Sequence, residues 1–480
     1  MADSEAPVSN LYHSLDEAKV GRKHWVTVFT SGMGFFTDAY DLFIIGTVTV
    51  LLTPIFHLNT NQISLLNSIS LLASVAGALT FGRLMDKLGR KRMYGVEVAI
   101  LVVGAILSAF AWNFTSLLIF RIIVGYGVGG DYATSAVITS EYSNRQSRGK
   151  LIGTVFSMQA LGLIAGPAIA SIFLSSGVPS DLSWRIMLAL GAIPAASVIY
   201  LRRKIRETPR YTLGIKGDIA ATAKTVAWVT GEQTFVSSEK QATTGARMRP
   251  RPIAKLTQKP FLLRLIGTAG GWFLLDIAFY GNSVSSPLIL KLLQPKGSLL
   301  SHTLLSLLIF AVAAFPGYWL AVFLMDRIGR RRIQWQGFAV MAAAFALIWL
   351  IPDGATSVAI FLPLFAISYF FTEFGPNVTT FVYPAEVFPT SIRGTADGIS
   401  AGMGKFGGFL GALLVPHLLQ SVGISGVMGI MAAVSIVGVL LTIVALPEPR
   451  GRSLEDASGE MPVLFEPESA STNSPTATAS

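Results

Sequence analysis

Trp272, Asp276 and Tyr280 stand four residues apart in the stretch Gly270-Gly-Trp-Phe-Leu-Leu-Asp-Ile-Ala-Phe-Tyr-Gly-Asn282. At about 100° per residue, positions i, i+4 and i+8 share one face of a helix. The stretch lies in an apolar segment long enough to cross a bilayer, where an ionisable side chain costs roughly 2.5–3.5 kcal/mol on insertion scales. Other apolar segments carry the same kind of residue. Gly32-Met-Gly-Phe-Phe-Thr-Asp38-Ala-Tyr-Asp41 sets two acids one turn apart, and Asp131-Tyr132 follows Gly129-Gly130. Gln159 follows Asp131 at the same interval that separates Lys405 from Asn377. A single polar residue in a span is often only a helix–helix hydrogen bond. Several carboxylates and a lysine, each costly alone, mark a buried polar site able to hold a polar ligand and exchange protons.

Long apolar elements must position these groups. The 480 residues are 52% hydrophobic and only 13% charged, with a mean hydropathy of +0.58, whereas soluble domains run near 25% charged. Apolar blocks divided by short polar loops imply an all-α membrane protein rather than one anchor on a soluble domain. Twelve spans are expected, near 25–50, 64–83, 94–112, 115–140, 150–174, 184–203, 262–290, 302–325, 334–351, 356–381, 396–419 and 424–446. Basic loops holding Asp86 to Arg92, Arg145 to Lys150 and Arg327 to Arg332 alternate with loops almost free of Lys and Arg. That asymmetry puts both termini in the cytoplasm. It also explains the net charge of +10 without nucleic acid. No cleavable signal is visible. The absence of cysteine excludes disulfide and thiolate chemistry. No metal-ligand cluster, phosphate loop or serine triad stands in the sequence, so neither an enzyme nor a cofactor is expected.

The chain divides into a six-span bundle with its arm (1–203), a central cytoplasmic loop (204–260) expected to hold short surface helices and partial disorder, a second six-span bundle (261–449), and a Ser/Thr/Pro-rich tail (450–480) expected to be disordered. The two bundles repeat each other. Leu84-Met-Asp86-Lys-Leu-Gly-Arg90-Lys-Arg92 matches Leu324-Met-Asp326-Arg-Ile-Gly-Arg330-Arg-Arg332, and Glu141 precedes Arg148-Gly149 as Glu386 precedes Arg393-Gly394. Asp38 and Asp276 take nearly the same offset in the first and seventh spans. Parallel halves of this kind are an expected layout for a secondary transporter, with its site between the halves near the midplane. Asp86, Arg90, Glu141, Arg148, Asp326, Arg330, Glu386 and Arg393 form a candidate cytoplasmic gate. Two such loops at equivalent positions favour an ordered gate over static anchoring at the membrane edge.

The paired Gly/Asp/Arg loops resemble those of the major facilitator superfamily, and the resemblance extends to Arg121-Ile-Ile-Val-Gly125-Tyr-Gly127. Gly34-Phe-Phe-Thr-Asp38-Ala-Tyr-Asp41, Gly129-Gly-Asp-Tyr132, Met158-Gln159, Trp272 to Tyr280, Gly375-Pro-Asn377 and Pro384-Ala-Glu386-Val-Phe-Pro are similar to motifs of its phosphate:proton symporter family. The match covers about residues 34 to 410. The chain departs from the commoner family sequence at Ala133-Thr134 and Gly281-Asn282. The resemblance implies that Tyr132, Gln159, Trp272, Asp276, Tyr280 and Asn377 surround inorganic phosphate. It implies too that Asp38, Asp41, Asp131 and Asp276 handle protons, and that Lys405 is tied to transport.

This polar set suits a tetrahedral oxyanion, because Tyr132, Tyr280, Trp272, Gln159 and Asn377 can all donate hydrogen bonds. An ionised Asp276 would repel the anion, and a protonated one would donate to it. The expected function is proton-coupled phosphate uptake by alternating access, in a functional monomer embedded in the lipid bilayer of the cell membrane. A proton-coupled carrier of a sugar or organic acid is the nearer rival, and a membrane phosphate sensor the more distant one.

Overall fold

The computed structural model describes residues 9–231 and 252–460. Twelve helices among them are long and apolar enough to cross a membrane: α1 (Arg22–Phe56), α2 (Thr60–Leu88), α3 (Arg90–Ala109), α4 (Phe114–Tyr142), α5 (Arg148–Ser175), α6 (Ser180–Lys204), α7 (Phe261–Val284), α8 (Leu299–Ile328), α9 (Arg330–Leu350), α10 (Val358–Val387), α11 (Arg393–Ser421) and α12 (Gly423–Ala445). No strand occurs among the described residues. The expected spans appear in the expected order, several of them longer than their apolar cores. Helix ends here follow caps rather than the edge of the hydrophobic run. Asn59 begins α2 by accepting from the Gln62 backbone N–H, while the Gln62 side chain accepts from that of Asn59, both at 3.0 Å. Asn113 caps α4 through the Ser116 N–H at 2.8 Å.

The two repeated loops fold alike. Gly89 and Gly329 end α2 and α8 with φ of 101° and 99°, a region a β-carbon disfavours. Each turn aims the following arginine back at the bundle. Glu207 accepts from the Arg90 N–H at 3.0 Å, and Glu448 from the Arg330 N–H at 3.1 Å. These two glutamates cap the first turns of α3 and α9, where helix-end donors otherwise lack partners.

The halves meet along α2–α11 and α5–α8. Close approach of α2 and α11 depends on glycine. A β-carbon added at Gly398 would lie 2.4 Å from the Ala78 carbonyl oxygen, and one at Gly82 would lie 2.5 Å from that of Gly394. Within the first half, Gly125 and Gly129 of α4 press on Ser70 and Ser74 of α2 in the same way.

Five spans are not continuous α-helix, α3 breaking at Tyr94-Gly95 and α6 at Gly191. α5 bends at Met158, so that Gln159 opens its second segment. α8 holds a π-helical turn at Phe310–Ala314. α10 holds one at Glu373–Asn377, where Gly375 leaves helical geometry (φ −101°, ψ −114°) and Pro376 has no N–H to donate.

Outside the spans, Ser9–Asp16, Pro209–Gly214, Ile219–Thr230, Pro252–Leu256, Ser286–Leu293 and Leu454–Ser458 are short helices. Pro209–Gly214 is buried rather than lying on the surface. The cause is Arg210, whose guanidinium reaches Asp16 and Glu455 at 2.8 Å each and the Glu141 carbonyl at 3.0 Å. Residues 447–460 therefore pack against the bundle, although low-complexity composition suggests disorder from 450 onward. The remainder of that tail (461–480), the first eight residues and 232–251 of the central loop lie outside the described residues.

Candidate functional site

A cluster of polar side chains is enclosed midway along the bundle. Its centre is Asp38 of α1. The Tyr132 hydroxyl of α4 donates to Asp38 Oδ2 at 2.6 Å, and Gln159 Nε2 of α5 reaches the same oxygen at 3.4 Å. Gln159 Nε2 also donates to the Tyr132 hydroxyl. From the other half, Lys405 Nζ of α11 lies 3.7 Å from Asp38 Oδ2, donates to the Tyr280 hydroxyl at 2.6 Å and stands 3.6 Å from the Tyr132 ring centroid. The Tyr132 and Tyr280 hydroxyls are 3.5 Å apart. Sequence positions that span most of the chain thus converge on one carboxylate, and both halves contribute.

Trp272, Asp276 and Tyr280 share the inner face of α7, all buried. Asp276 is 1% exposed, and its Oδ2 has no hydrogen-bond partner. The Lys405 charge acts on Asp276 as well as on Asp38. Asn377 lies on the opposite wall, at the end of the π-helical turn in α10. Its amide donates to the Tyr318 hydroxyl of α8 at 2.8 Å and to Glu373 Oε2. Tyr318 in turn donates to Gln159 Oε1 at 3.1 Å, which closes a chain of hydrogen bonds across the interface of the halves.

Aromatic rings enclose the cluster at both ends. Towards the chain termini, Phe35 of α1 and Phe156 of α5 meet Phe381 of α10, with centroids 4.9 and 4.7 Å apart. At the far end, Phe43 of α1 meets Phe279 of α7 and Phe310 of α8, each at 5.8 Å. Each layer is made by both halves. Beyond the second lies a cavity of about 520 Å³, lined by Gly46, Thr49 and Asn67 of one half and by Pro287, Lys291 and His302 of the other.

Two of the acids singled out in the sequence lie in separate ion pairs. Asp41 meets Arg121 of α4 at 2.5 Å, on a different side from its neighbour Asp38. Asp131 accepts a bidentate pair of bonds from Arg202 of α6 at 2.7 and 3.0 Å, plus one from Ser135 at 2.6 Å. Arg202 also pairs with Glu97 of α3 at 3.1 Å. Sequence reasoning missed Arg202, Glu97, Tyr318 and Glu373 as members of these networks. An acid within an apolar span was the criterion that found Asp276, and it would have found Glu373.

The end nearer the termini is closed by a second, symmetric network. Glu141 accepts from Arg90 of its own half at 3.0 Å and from Arg393 of the other at 2.9 Å. Glu386 repeats this with Arg330 at 2.8 Å and Arg148 at 2.9 Å. The two loop aspartates cap helices across the interface. Asp86 accepts from the Gly394 and Thr395 N–H groups of α11 at 3.0 and 2.7 Å, and Asp326 from those of Gly149 and Lys150 of α5 at 3.2 and 2.8 Å. A carboxylate at a helix N-terminus satisfies free donors and the favourable end of the helix dipole together. The eight residues expected at the gate are therefore brought together at one end of the molecule.

Comparison with known proteins places this architecture. Residues 26–460 match the sugar (and other) transporter family. The chain belongs to that family. Within it, the chain groups with a phosphate-transporter branch. It is 35% identical to inorganic phosphate transporter 1-1 of Arabidopsis thaliana, across 94% of this chain and 97% of that one. It is 36% identical to low affinity inorganic phosphate transporter 8 of Medicago truncatula, across 93% and 92%. The fold is that of the major facilitator superfamily. The proton:xylose symporter XylE bound to 6-bromo-6-deoxy-D-glucose superposes with a TM-score of 0.78 at 17% identity, covering 90% of this chain and 98% of that one. Against XylE from E. coli in a partially occluded inward-open conformation the TM-score is 0.70 at 16% identity, over 90% of this chain and 100% of that one. The family member described here is a multi-pass membrane protein whose two halves enclose a polar cluster.

Proposed function

We propose that this chain is a secondary active transporter that carries inorganic phosphate together with protons by alternating access between its halves. The observation that carries this reading is the Asp38 carboxylate. Tyr132, Gln159 and Lys405, the groups suited to hold an oxyanion, all point at it. Asp38 thus occupies the acceptor position that a bound anion would take. Protonating Asp38 removes its negative charge and loosens its hold on these donors, leaving them for phosphate. Asp276 complements this from α7. Ionised, it repels the anion; protonated, its unpartnered oxygen can donate to it. The ligand's identity rests on the names of the relatives, which are phosphate transporters.

Substrate contacts are assigned to Tyr132, Gln159, Trp272, Asp276, Tyr280 and Asn377, and proton handling to Asp38 and Asp276, with Lys405 as their shared counter-charge. Asp41 and Asp131 join the proton route when their pairs with Arg121 and Arg202 open. An interior-negative potential opposes entry of an anion by about 2.3 kcal/mol per charge per 100 mV. One proton per monovalent phosphate cancels that term, and a second turns the potential into a driving force. The ion pairs of Glu141 and Glu386 across the halves, and the helix caps by Asp86 and Asp326, form the gate at the terminal end. Its opening, with rocking of the halves, exposes the cluster to that side. The basic loops at that end support a cytoplasmic assignment for it. One chain supplies both walls of the site, so the monomer suffices, and the cell membrane is the site of action.

The test is uptake of labelled phosphate into proteoliposomes under an imposed pH gradient, acid outside. Wild-type protein accumulates phosphate, and Asp276→Asn loses the gradient-driven component. Transport of a sugar or an organic acid with no movement of phosphate would overturn the substrate assignment.

A further inference from the structure

Glu373 has no part in the cycle just described, yet it is buried at 0% exposure inside the π-helical turn that delivers Asn377 to the site. An amide NH2 offers two donors, and both of Asn377's are engaged, one by the Tyr318 hydroxyl and one by Glu373 Oε2. In this arrangement Asn377 has nothing to offer a bound anion. Tyr318 also lies within hydrogen-bonding reach of Glu373, but in this arrangement its single proton is given to Gln159 Oε1 at 3.1 Å. Glu373 Oε1 is left without a hydrogen-bond partner. The groups acting on Glu373 are Asn377 on its own helix, Tyr318 from α8 and Asp276 from α7, with no cation among them. Tyr369, one turn back on α10, and Tyr280 of α7 also feel its charge. On the α9 side the turn meets Gly337, which packs against Gly375.

We propose that Glu373 is a proton-carrying positioning residue of the transport site, holding the Asn377 amide while ionised and releasing it to the anion when protonated. This rests on the phosphate–proton reading above and deepens it. The step balances simply. A proton from the entry side adds to a carboxylate oxygen of Glu373, the charge-assisted bond to Asn377 becomes an ordinary one, and the freed N–H turns to phosphate. Departure of phosphate on the other side is accompanied by loss of that proton to water. Phosphate then travels with one proton more than Asp38 and Asp276 require. Within the π-helical turn the Glu373 carboxylate meets the amide four residues on, both of them buried in the bundle.

The experiment measures the KM for labelled phosphate exchange in proteoliposomes across a pH series, for wild type, Glu373→Gln and Glu373→Asp. Comparing the proteins at each pH cancels the ionisation of phosphate itself. Glutamine keeps the size of the side chain and the acceptor but carries no titrating proton. Its KM is expected to rise with pH less steeply than that of wild type, by up to about tenfold per pH unit, the dependence due to one proton. Aspartate retains a titrating group and is expected to restore the steep profile. Identical slopes for wild type and Glu373→Gln would overturn the assignment, as would a Glu373→Asp profile as shallow as that of glutamine. An independent reading, should Glu373→Gln fail to fold, is the phosphate-induced infrared difference spectrum. Binding should produce a protonated-carboxyl band that shifts in Glu373→Asp, and an unshifted spectrum counts against the proposal. Wild-type protein that exchanges no phosphate would instead overturn the underlying functional reading.

Discussion

In the proposed cycle Asp38 is an internal stand-in for the ligand, and the energetics of the site follow from that. Its contact with the Tyr132 hydroxyl at 2.6 Å is a hydrogen bond to a charged group, a kind worth about 1.5–3 kcal/mol. If phosphate takes over the same donor, Tyr132→Phe should raise the KM for phosphate by roughly 10- to 100-fold, the equivalent of that loss. Uptake kinetics in proteoliposomes check this, and an unchanged KM would remove Tyr132 from the binding set. Lys405 allows a sharper test. Taking one partner from a buried ion pair costs about 3–5 kcal/mol, mostly because the other charge is stranded. Lys405→Gln should therefore lower thermal stability in detergent, and adding Asp38→Asn should recover most of the loss without restoring transport. Two destabilising effects that simply add would contradict the pairing seen at 3.7 Å. Much of this cluster was legible in the sequence, because an acid or lysine in an apolar span betrays itself by its cost. Partner choice was not. Asp38 and Asp41 lie one turn apart, yet one joins the cluster and the other meets Arg121, since the 60° between them directs the two side chains to different neighbours.

At the level of elements, two residues of the cluster stand where helices are broken. α5 bends immediately before Gln159, and α10 widens into a π-helical turn that ends on Asn377. Such turns re-aim side chains that a regular helix would direct elsewhere, and they recur at functional sites. Gly375-Pro376 is a pair at which helices break, but the register of the turn depends on packing against Gly337 of α9 and so could not be read from α10 alone. The α2–α11 crossing shows the opposite design, two regular helices in backbone contact. Gly398→Val would set a branched side chain where even a β-carbon lies 2.4 Å from the Ala78 oxygen. The strain is relieved if α2 and α11 separate at the terminal end, so this variant should favour the state open on that side. The absence of cysteine makes the test direct, since a single introduced thiol needs no cysteine-free background. Ser157→Cys places it on α5, beside the Tyr318 carbonyl of α8. Labelling by a polar maleimide applied from the terminal side should rise several-fold when Gly398→Val is added, and equal labelling would show that the crossing is not part of the gate.

Across the whole molecule, the network at the terminal end is reinforced by a segment that belongs to neither bundle. Residues 447–460 reach the first half directly through Arg148, which donates to the Arg452 carbonyl at 3.0 Å, and indirectly through Glu455, whose partner Arg210 of the central loop donates to the Glu141 carbonyl. They reach the second half through Arg264, bonded to the Ser458 carbonyl at 2.7 Å, and through Glu460, which accepts from the Thr390 N–H at 3.0 Å. A strap fixed to both halves resists their separation, so in the proposed cycle it loosens when the gate opens. Its charge chemistry fixes how it responds to pH. Burial alone would raise the Glu455 carboxyl, but the Arg210 guanidinium at 2.8 Å more than offsets this and holds it below the ordinary glutamate range. A carboxylate depressed in the folded state contributes stability that is complete above its unfolded value and is lost as pH falls through its folded value. The strap should therefore keep the same resistance to limited proteolysis from neutral pH down to the ordinary carboxylate range, and lose it only in stronger acid. Arg210→Gln should abolish that protection at every pH and, with the strap released, raise terminal-side labelling of Ser157→Cys just as Gly398→Val does. Protection unchanged by Arg210→Gln would mean that the backbone contacts hold the strap without the ion pair. Labelling unchanged while protection is lost would separate the strap from the gate altogether.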